Sequence, residues 1–506
     1  MQLLDELKKW FGYSSFRPGQ KEIVEAVVKG EDVLAVLPTG TGKSICYQLP
    51  GLILPGVTII VSPLLSLMED QVQQLRSEGI KSVVAVNSFM SYQERQSVVN
   101  HLHEYKLIYT SPEMLQSEFF RSKLKTLQVS LFVVDEAHCI SQWGHEFRSD
   151  YLRLASVRKQ LGHPPCLAIT ATATTTVQKD ICHYLNMVDV KRYIHSVNRP
   201  NIALQVETYV TTDEKLERLL ELIESLEGPG MVYFSSRMWS ESVARKLMQK
   251  GISDVNFYHG GMTTEDRLLI QQQFMQGELN IICCTSAFGM GINKNNIRYV
   301  IHFHYPTQME SYVQEIGRAG RDGEDSLAIV LFSEEDRGLA KLLSVREQLT
   351  PDQVRTILER LQRESELSEK MVSEICAQAG CSEVVWRNML FALEELDVIE
   401  SGRIKRFSVD AITERLAHGF TQYKISKQKQ LTAFEHWLQL RTCRRSGMLQ
   451  YFNESPQKND HKCCDRCRFE LDDYRKTNTQ SAKQELVLHW EQELKKRFLI
   501  PFEASK

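Results

Sequence analysis

With 506 residues, 42% of them hydrophobic and 25% charged, the chain is long enough for about three or four units of roughly 150 residues and apolar enough to fold along most of its length. A formal net charge of −3 excludes a global attraction to polyanions, so any nucleic-acid contact must come from local basic patches. No run approaches the ~20 apolar residues of a membrane span, the start MQLLDELKKWFG lacks a signal-peptide layout, and twelve cysteines over this length are too sparse for a secreted disulfide framework; a soluble, cytoplasmic chain with reduced thiols is expected, without a membrane partner.

From Asp32 to about Ile169, short apolar runs alternate with amphipathic stretches. DVLAVL, VTIIV, KSVVAV, KLIY, LFVVDE and CLAIT are expected as strands of a parallel sheet with helices on both faces. The first of these strands runs into Pro38, Thr39, Gly40, Thr41, Gly42, Lys43 and Ser44, where a helix opens. Backbone N–H groups at a strand-to-helix turn converge on one point, and the helix dipole there favours an anion, so this loop is a candidate triphosphate cradle. Lys43 supplies charge for the β and γ phosphates, and the Ser44 hydroxyl is placed to ligate Mg²⁺. The position of the usual first glycine of such a loop is Leu37.

The fifth strand ends in Asp135 and Glu136, at the carboxyl edge where parallel sheets bind ligands. Asp135 is the second Mg²⁺ ligand, and Glu136 can orient or deprotonate the attacking water. An isolated acidic pair would be a solvated strand end; its position after a phosphate loop favours catalysis.

A second series, MVYF, DVNFYH, NIICCT, RYVIHF and LAIVLF, predicts a second α/β lobe, with RPNIALQVETYVTTDEK near 199–215 as the linker. Beyond Ser344 the pattern turns helical. SEKMVSEICAQAG, a turn at Gly380, a helix opening at Ser382 and a hairpin through Ser401-Gly402 predict a helix-turn-helix with a basic wing. Cys443, Cys463, Cys464 and Cys467 can close a tetrahedral Zn²⁺ site, and His461 could substitute for Cys463. A last amphipathic helix is expected over 482–497. The expected divisions are 1–205, 206–344, 345–420, 421–470 and 471–506.

The loop after the acidic pair, Ser141-Gln142-Trp143-Gly144-His145-Glu146-Phe147-Arg148, is similar to the aromatic-rich loop of RecQ helicases, a branch of superfamily 2. The resemblance implies two RecA-like parallel-sheet motor lobes, a winged-helix-like unit and a small zinc module. It implies ATP-dependent DNA unwinding, 3′ to 5′, on single strands and on duplexes with a single-stranded tail or fork, in repair and recombination. In that reading Gln142, Trp143, His145, Phe147 and Arg148 meet DNA, since rings and a guanidinium stack on unpaired bases.

Phe11, Arg17 and Gln20 resemble the family's adenine-recognition motif, with the Gln20 amide on the adenine edge. Ser62 and Pro63 resemble a strand-tracking motif of the first lobe that binds phosphate, and Arg237 and His259 belong to second-lobe motifs that follow the family in order, which implies that they line the DNA path and the nucleotide cleft. Gln314, Arg318 and Arg321 belong to the last motor motif; Arg321 is the first candidate for the arginine finger. The zinc module resembles the family's own, with Arg444 and Arg445 available for phosphate. The resemblance further implies a single-stranded-DNA-binding protein as a partner, with nucleoid association if the source is bacterial.

The order departs from the family, because the helix-turn-helix precedes the cysteines instead of following them. Only about 39 residues follow Cys467, too few for the family's usual winged helix and HRDC domain, so the likeness is to a short bacterial-type form. The residues alone leave open a DNA-stimulated clamp that separates no strands, and an RNA helicase; the aromatic loop and zinc module weigh against RNA.

Overall fold

Short apolar runs such as Val33–Val36 and Val57–Val61 are buried along their whole length, which requires a sheet covered on both faces. The computed structural model describes residues 2–476 except 88–89, 142–147, 290–291, 293, 346–348, 401, 456–461 and 468–469. The expected helix at 482–497 lies outside the described residues. Among them no helix is long and apolar enough to cross a membrane.

The first lobe holds β1 (Val33–Val36), β2 (Val57–Val61), β3 (Val83–Val86), β4 (Leu107–Thr110), β5 (Val129–Val134), β6 (Cys166–Thr170) and β7 (Lys191–Ile194). All pair in parallel, in the order β3-β4-β2-β5-β6-β1-β7. The six expected strands are present. Sequence reading missed β7, an edge strand whose residues are mostly exposed and so carry no apolar run.

The second lobe contains β8 (Ile202–Tyr209), β9 (Gly230–Tyr233), β10 (Val255–Tyr258), β11 (Ile281–Cys284), β12 (Tyr299–His302) and β13 (Ser326–Ser333), again parallel, in the order β10-β11-β9-β12-β13-β8. The stretch expected as a linker is structured. Ile202, Leu204 and Val206 enter the lobe core from β8, which pairs with all of β13, and Thr211 with Glu214 forms a capping box for the helix Thr212–Ser225. The connection between the sheets is therefore only residues 195–201.

The helical unit opens with Pro351–Leu361, whose Thr350–Gln353 capping box and first-turn proline set its start. Glu369–Ala379 stops at Gly380, in the left-handed region at φ 62°, and Ser382 caps Glu383–Glu395. The wing is the antiparallel pair β14 (Ile399–Glu400) and β15 (Arg403–Ile404). The helix Glu383–Glu395 faces the first lobe: Arg153 meets Glu394 at 2.5 Å, Arg387 approaches Asp150 at 3.7 Å, and Phe391 packs on the first lobe's core.

Val409–Leu438 is one unbroken helix of 30 residues, ~45 Å long at 1.5 Å per residue. Ile412 and Leu416 belong to the helical unit's core, whereas Leu431, Phe434, Trp437 and Leu438 enter the core of the second lobe beside Met448, Leu449, Cys463 and Cys464. The cysteine module and the second lobe thus share one hydrophobic core.

Candidate nucleotide cleft and zinc centre

β1 delivers the phosphate loop from between β6 and β7, and Leu37 continues the ladder by donating its N–H to Thr170 O at 3.0 Å. Gly40 and Gly42 stand at φ 84° and 77°, the left-handed region that favours glycine. A Cβ on Gly42 would also lie 2.9 Å from Gln20 Nε2. The loop's carbonyls are held from outside. Arg17 donates to Gly40 O at 2.7 Å, Gln20 Nε2 donates to Thr41 O and Gly42 O at 2.9 Å each, and Thr41 Oγ1 donates to Pro38 O at 2.7 Å. Gln20 Oε1 accepts from Arg17 N at 2.9 Å, so the amide expected to read adenine is here engaged by the loop and its own turn. Phe11 stacks on Tyr13 at the mouth of the same cavity, with ring centroids 6.4 Å apart.

The acidic pair faces the loop. Lys43 Nζ is 3.4 Å from Glu136 Oε1, and Glu136 Oε2 is 3.4 Å from His138 Nδ1. Glu136 is a non-glycine residue in the left-handed region at φ 47°, a conformation that the surrounding fold must hold in place. Burial, then the neighbouring Glu136, pushes the Asp135 carboxyl up to about 7, against the pull of Lys43. Burial, then Lys43, pushes His138 down to about 3, so its ring is neutral; Nδ1 lies 2.8 Å from Thr170 Oγ1. Sequence reading missed His138, whose link to Thr170 joins the acidic pair to the segment 168–173.

Across the cleft, Gln314, Arg318 and Arg321 line one cavity of about 460 Å³ together with Arg17, Gln20, Gly40, Lys43, Ser44, Asp135 and Glu136. Arg318 donates to Gly289 O and Arg321 to Ile292 O. Among the described residues neither guanidinium has an ion-pair partner, and the Nε of each is buried without an acceptor. Burial, then Arg318 and Arg199, pushes Arg321 down to about 9. Two cations facing a phosphate loop without carboxylate partners form a receptor for an anion.

Ser44 and Asp135 offer hydroxyl and carboxylate oxygens on the wall of that cavity, the hard donor set that Mg²⁺ takes. For zinc, the Sγ atoms of Cys443, Cys463, Cys464 and Cys467 lie within 4.8 Å of one another. The individual separations of 3.6, 4.0 and 3.6 Å bracket the ~3.8 Å edge of a tetrahedron with Zn–S bonds of about 2.3 Å. Hydrogen bonding from Cys463 holds the Cys464 thiol well below the usual thiol range. The four cysteines fit zinc; His461 lies outside the described residues.

Other expected DNA contacts meet a mixed fate. Gln142, Trp143, His145 and Phe147 lie outside the described residues. Arg237 is exposed at the start of the helix Arg237–Gln249, and Arg148 is partly exposed, 3.5 Å from Glu113. Ser62 and Pro63, just after β2, are buried. His259 is also buried, bound to Glu241 Oε1 at 2.9 Å while its Nδ1 accepts from Gly261 N, so it caps a turn. Arg444 and Arg445, each 1% exposed, are not available for phosphate. Arg444 pairs with Asp465 at 2.5 Å and donates to Trp437 O and Leu438 O; Arg445 donates to Asn198 Oδ1 and to the carbonyls of Arg199, Ile202 and Cys463.

Two parallel-sheet lobes that enclose a phosphate loop, an acidic pair and facing arginines define the class of two-lobed nucleotide-dependent motors. The models of three families match in chain order: DEAD/DEAH box helicase over 17–181, helicase conserved C-terminal domain over 214–323, and RecQ zinc-binding over 404–468. A probable ATP-dependent DNA helicase RecS of Bacillus subtilis is 44% identical over 501 residues, 99% of this chain and 98% of that protein. The ATP-dependent DNA helicase RecQ of Haemophilus influenzae is 41% identical over 69% of this chain, a match that spans 56% of the relative. The chain belongs to the RecQ family of helicases.

Solved structures agree on the fold. The helicase MrfA bound to DNA and AMPPNP superposes with a TM-score of 0.56 at 19% identity, over 81% of this chain and 62% of that one. The DEAD-box helicase Mss116, bound to single-stranded RNA, gives 0.58 at 16% identity, over 90% of both chains.

Proposed function

We propose that this protein is an ATP-dependent DNA helicase that couples ATP hydrolysis to 3′-to-5′ movement on single-stranded DNA and thereby opens duplexes. The observation that carries the reading is the pairing across one cavity of Lys43 and Glu136 with Arg318 and Arg321, two arginines lacking any carboxylate partner among the described residues. ATP dependence and DNA are the printed attributes of the full-length RecS relative. The 3′-to-5′ direction rests on family resemblance, as do roles in repair and recombination, a single-stranded-DNA-binding partner, and cytoplasmic or nucleoid residence.

Lys43 and the loop N–H groups hold the β and γ phosphates, and Glu136, 3.4 Å from Lys43, orients the attacking water. Mg²⁺, held by Ser44 and Asp135, would neutralise phosphate charge. Arg321, with Arg318 beside it, meets the charge that spreads over the transferred group. Zinc bound by the four cysteines is structural, because a fully ligated shell leaves no open position.

The test measures ATP hydrolysis and strand displacement together on a 3′-tailed and a 5′-tailed duplex. Wild-type protein should hydrolyse ATP faster with single-stranded DNA and displace the strand only from the 3′-tailed substrate, whereas Lys43→Ala should do neither. ATP turnover without displacement would indicate a clamp, and normal unwinding by Lys43→Ala would remove the assigned cleft from the mechanism.

A further inference from the structure

Arg199 lies in the short connection between the two sheets, and among the described residues it has no ion-pair partner. Its guanidinium is held by main-chain carbonyls from both lobes. Nη1 donates to Thr39 O of the phosphate loop and to Gly317 O, each at 3.0 Å; Nη2 donates to Ala319 O at 3.0 Å and Gly320 O at 2.6 Å. The three acceptors in the second lobe bracket Arg318 and immediately precede Arg321. One nitrogen therefore touches both sides of the cleft, and a separation of the lobes would cost it one of its two acceptors.

The contact is built on close approach. Thr39 Oγ1 also donates to Gly317 O, at 2.8 Å, and a Cβ on Gly317 would fall 2.0 Å from that hydroxyl. Asn201 Nδ2 adds a second donor to Gly320 O at 2.9 Å. The connection is anchored from behind as well. Arg445 Nη1 donates to Arg199 O and Asn198 Oδ1 at 2.8 Å each, and Glu454 accepts from Val197 N at 2.9 Å. A planar fork with fixed donor directions can serve four carbonyls at once, whereas an ammonium group is a point charge with three rotating donors.

We propose that Arg199 is a positioning residue for nucleotide hydrolysis: it ties Thr39 of the phosphate loop to the Gly317–Gly320 segment and so fixes where Arg318 and Arg321 stand relative to the γ phosphate. This rests on the reading of the cleft as an ATP-hydrolysing site. Its acceptors are all backbone, so Arg199 acts on the reaction through the groups it holds. Displacement of a catalytic group by about 1 Å is enough to cost on the order of 10²-fold in rate.

The test compares full-length wild type with Arg199→Ala and Arg199→Lys in three measurements: steady-state ATP hydrolysis with single-stranded DNA, the ratio of affinities for ADP–beryllium fluoride and ADP, and thermal unfolding. The expected result is kcat lower by about 100-fold in the alanine variant and by at least about 10-fold in the lysine variant. ADP affinity and melting temperature should stay near wild type, and the preference for ADP–beryllium fluoride should be lost. A lysine variant with wild-type kcat overturns the proposal, as does a loss of kcat that only tracks loss of ADP affinity and melting temperature. If the alanine variant does not fold, the lysine variant decides. If wild type hydrolyses no ATP, the functional reading fails, and the beryllium fluoride preference still judges Arg199: an unchanged or absent preference overturns its role, and a preference lost on substitution sustains it.

Discussion

Two pairs of arginines in this molecule do opposite things. Arg444 and Arg445, in the cysteine module, are each 1% exposed and spend their donors on Asp465, Asn198 and main-chain carbonyls. Arg318, 4% exposed, and the half-buried Arg321 line a cavity, and each donates to one main-chain carbonyl. The difference teaches where the work of each pair lies. A guanidinium enclosed by four acceptors, as Arg445 is, holds structure together, whereas one on a cavity wall with a single carbonyl acceptor carries a charge that an incoming anion can relieve. A phosphate bound in the cleft would supply the acceptors that these two arginines lack.

The sharpest way to break this contrast is Arg321→Ala. Arginine fingers contribute ~10³-fold or more to phosphoryl transfer, so single-turnover ATP hydrolysis should fall by at least about that factor. Because burial and two neighbouring cations already push this guanidinium down to about 9, its charge is a burden to the free protein. The variant's melting temperature without nucleotide should therefore equal or exceed wild type. A rate within tenfold of wild type would show that Arg321 is structural, like Arg445.

The converse prediction concerns Arg445→Ala. Removing this side chain strips hydrogen bonds from Asn198 and three carbonyls inside a shared core and should destabilise the fold by about 3 kcal/mol or more. Thermal unfolding should shift down and zinc should be lost at lower chelator concentration. The salt dependence of DNA affinity should not change in the folded fraction. A salt slope reduced by about one, with unaltered melting temperature, would restore Arg445 to the phosphate contacts and erase the contrast.

These cases show why some of the chain was legible and some was not. β1 and β5 carry continuous apolar runs, and the turns that follow them hold Lys43, Ser44, Asp135 and Glu136 at fixed local spacing, so strand, loop and chemistry come from neighbouring residues. β7 was hidden because an exposed edge strand needs no apolar residues, and β8 because its alternation sits beside Arg-Pro-Asn and resembles a connection. The role of an arginine is set by groups far along the chain: Arg445 meets Asn198 and Arg199 meets Gly317, pairings that no local pattern encodes. The winged unit was visible as helix, turn and helix, yet the burial of its second helix against Asp150 and Arg153 is tertiary information.

The smallest expected effect belongs to a third kind of arginine. Arg148 directly follows the segment 142–147, its side chain is 35% exposed, and its nearest carboxylate among the described residues is Glu113 at 3.5 Å, which Arg387 also approaches at 3.9 Å. An ion pair so open to water contributes little, ~0–1 kcal/mol, so Arg148 can exchange Glu113 for a phosphate at small cost. Arg148→Ala should leave the melting temperature unchanged, weaken single-stranded DNA binding a few-fold, and lower the slope of log affinity against log salt by about 0.7, the value of one phosphate contact on a single strand. A variant with wild-type slope would place Arg148 with the satisfied arginines of the cysteine module, and the polynucleotide path would then have to be drawn past Arg237 instead.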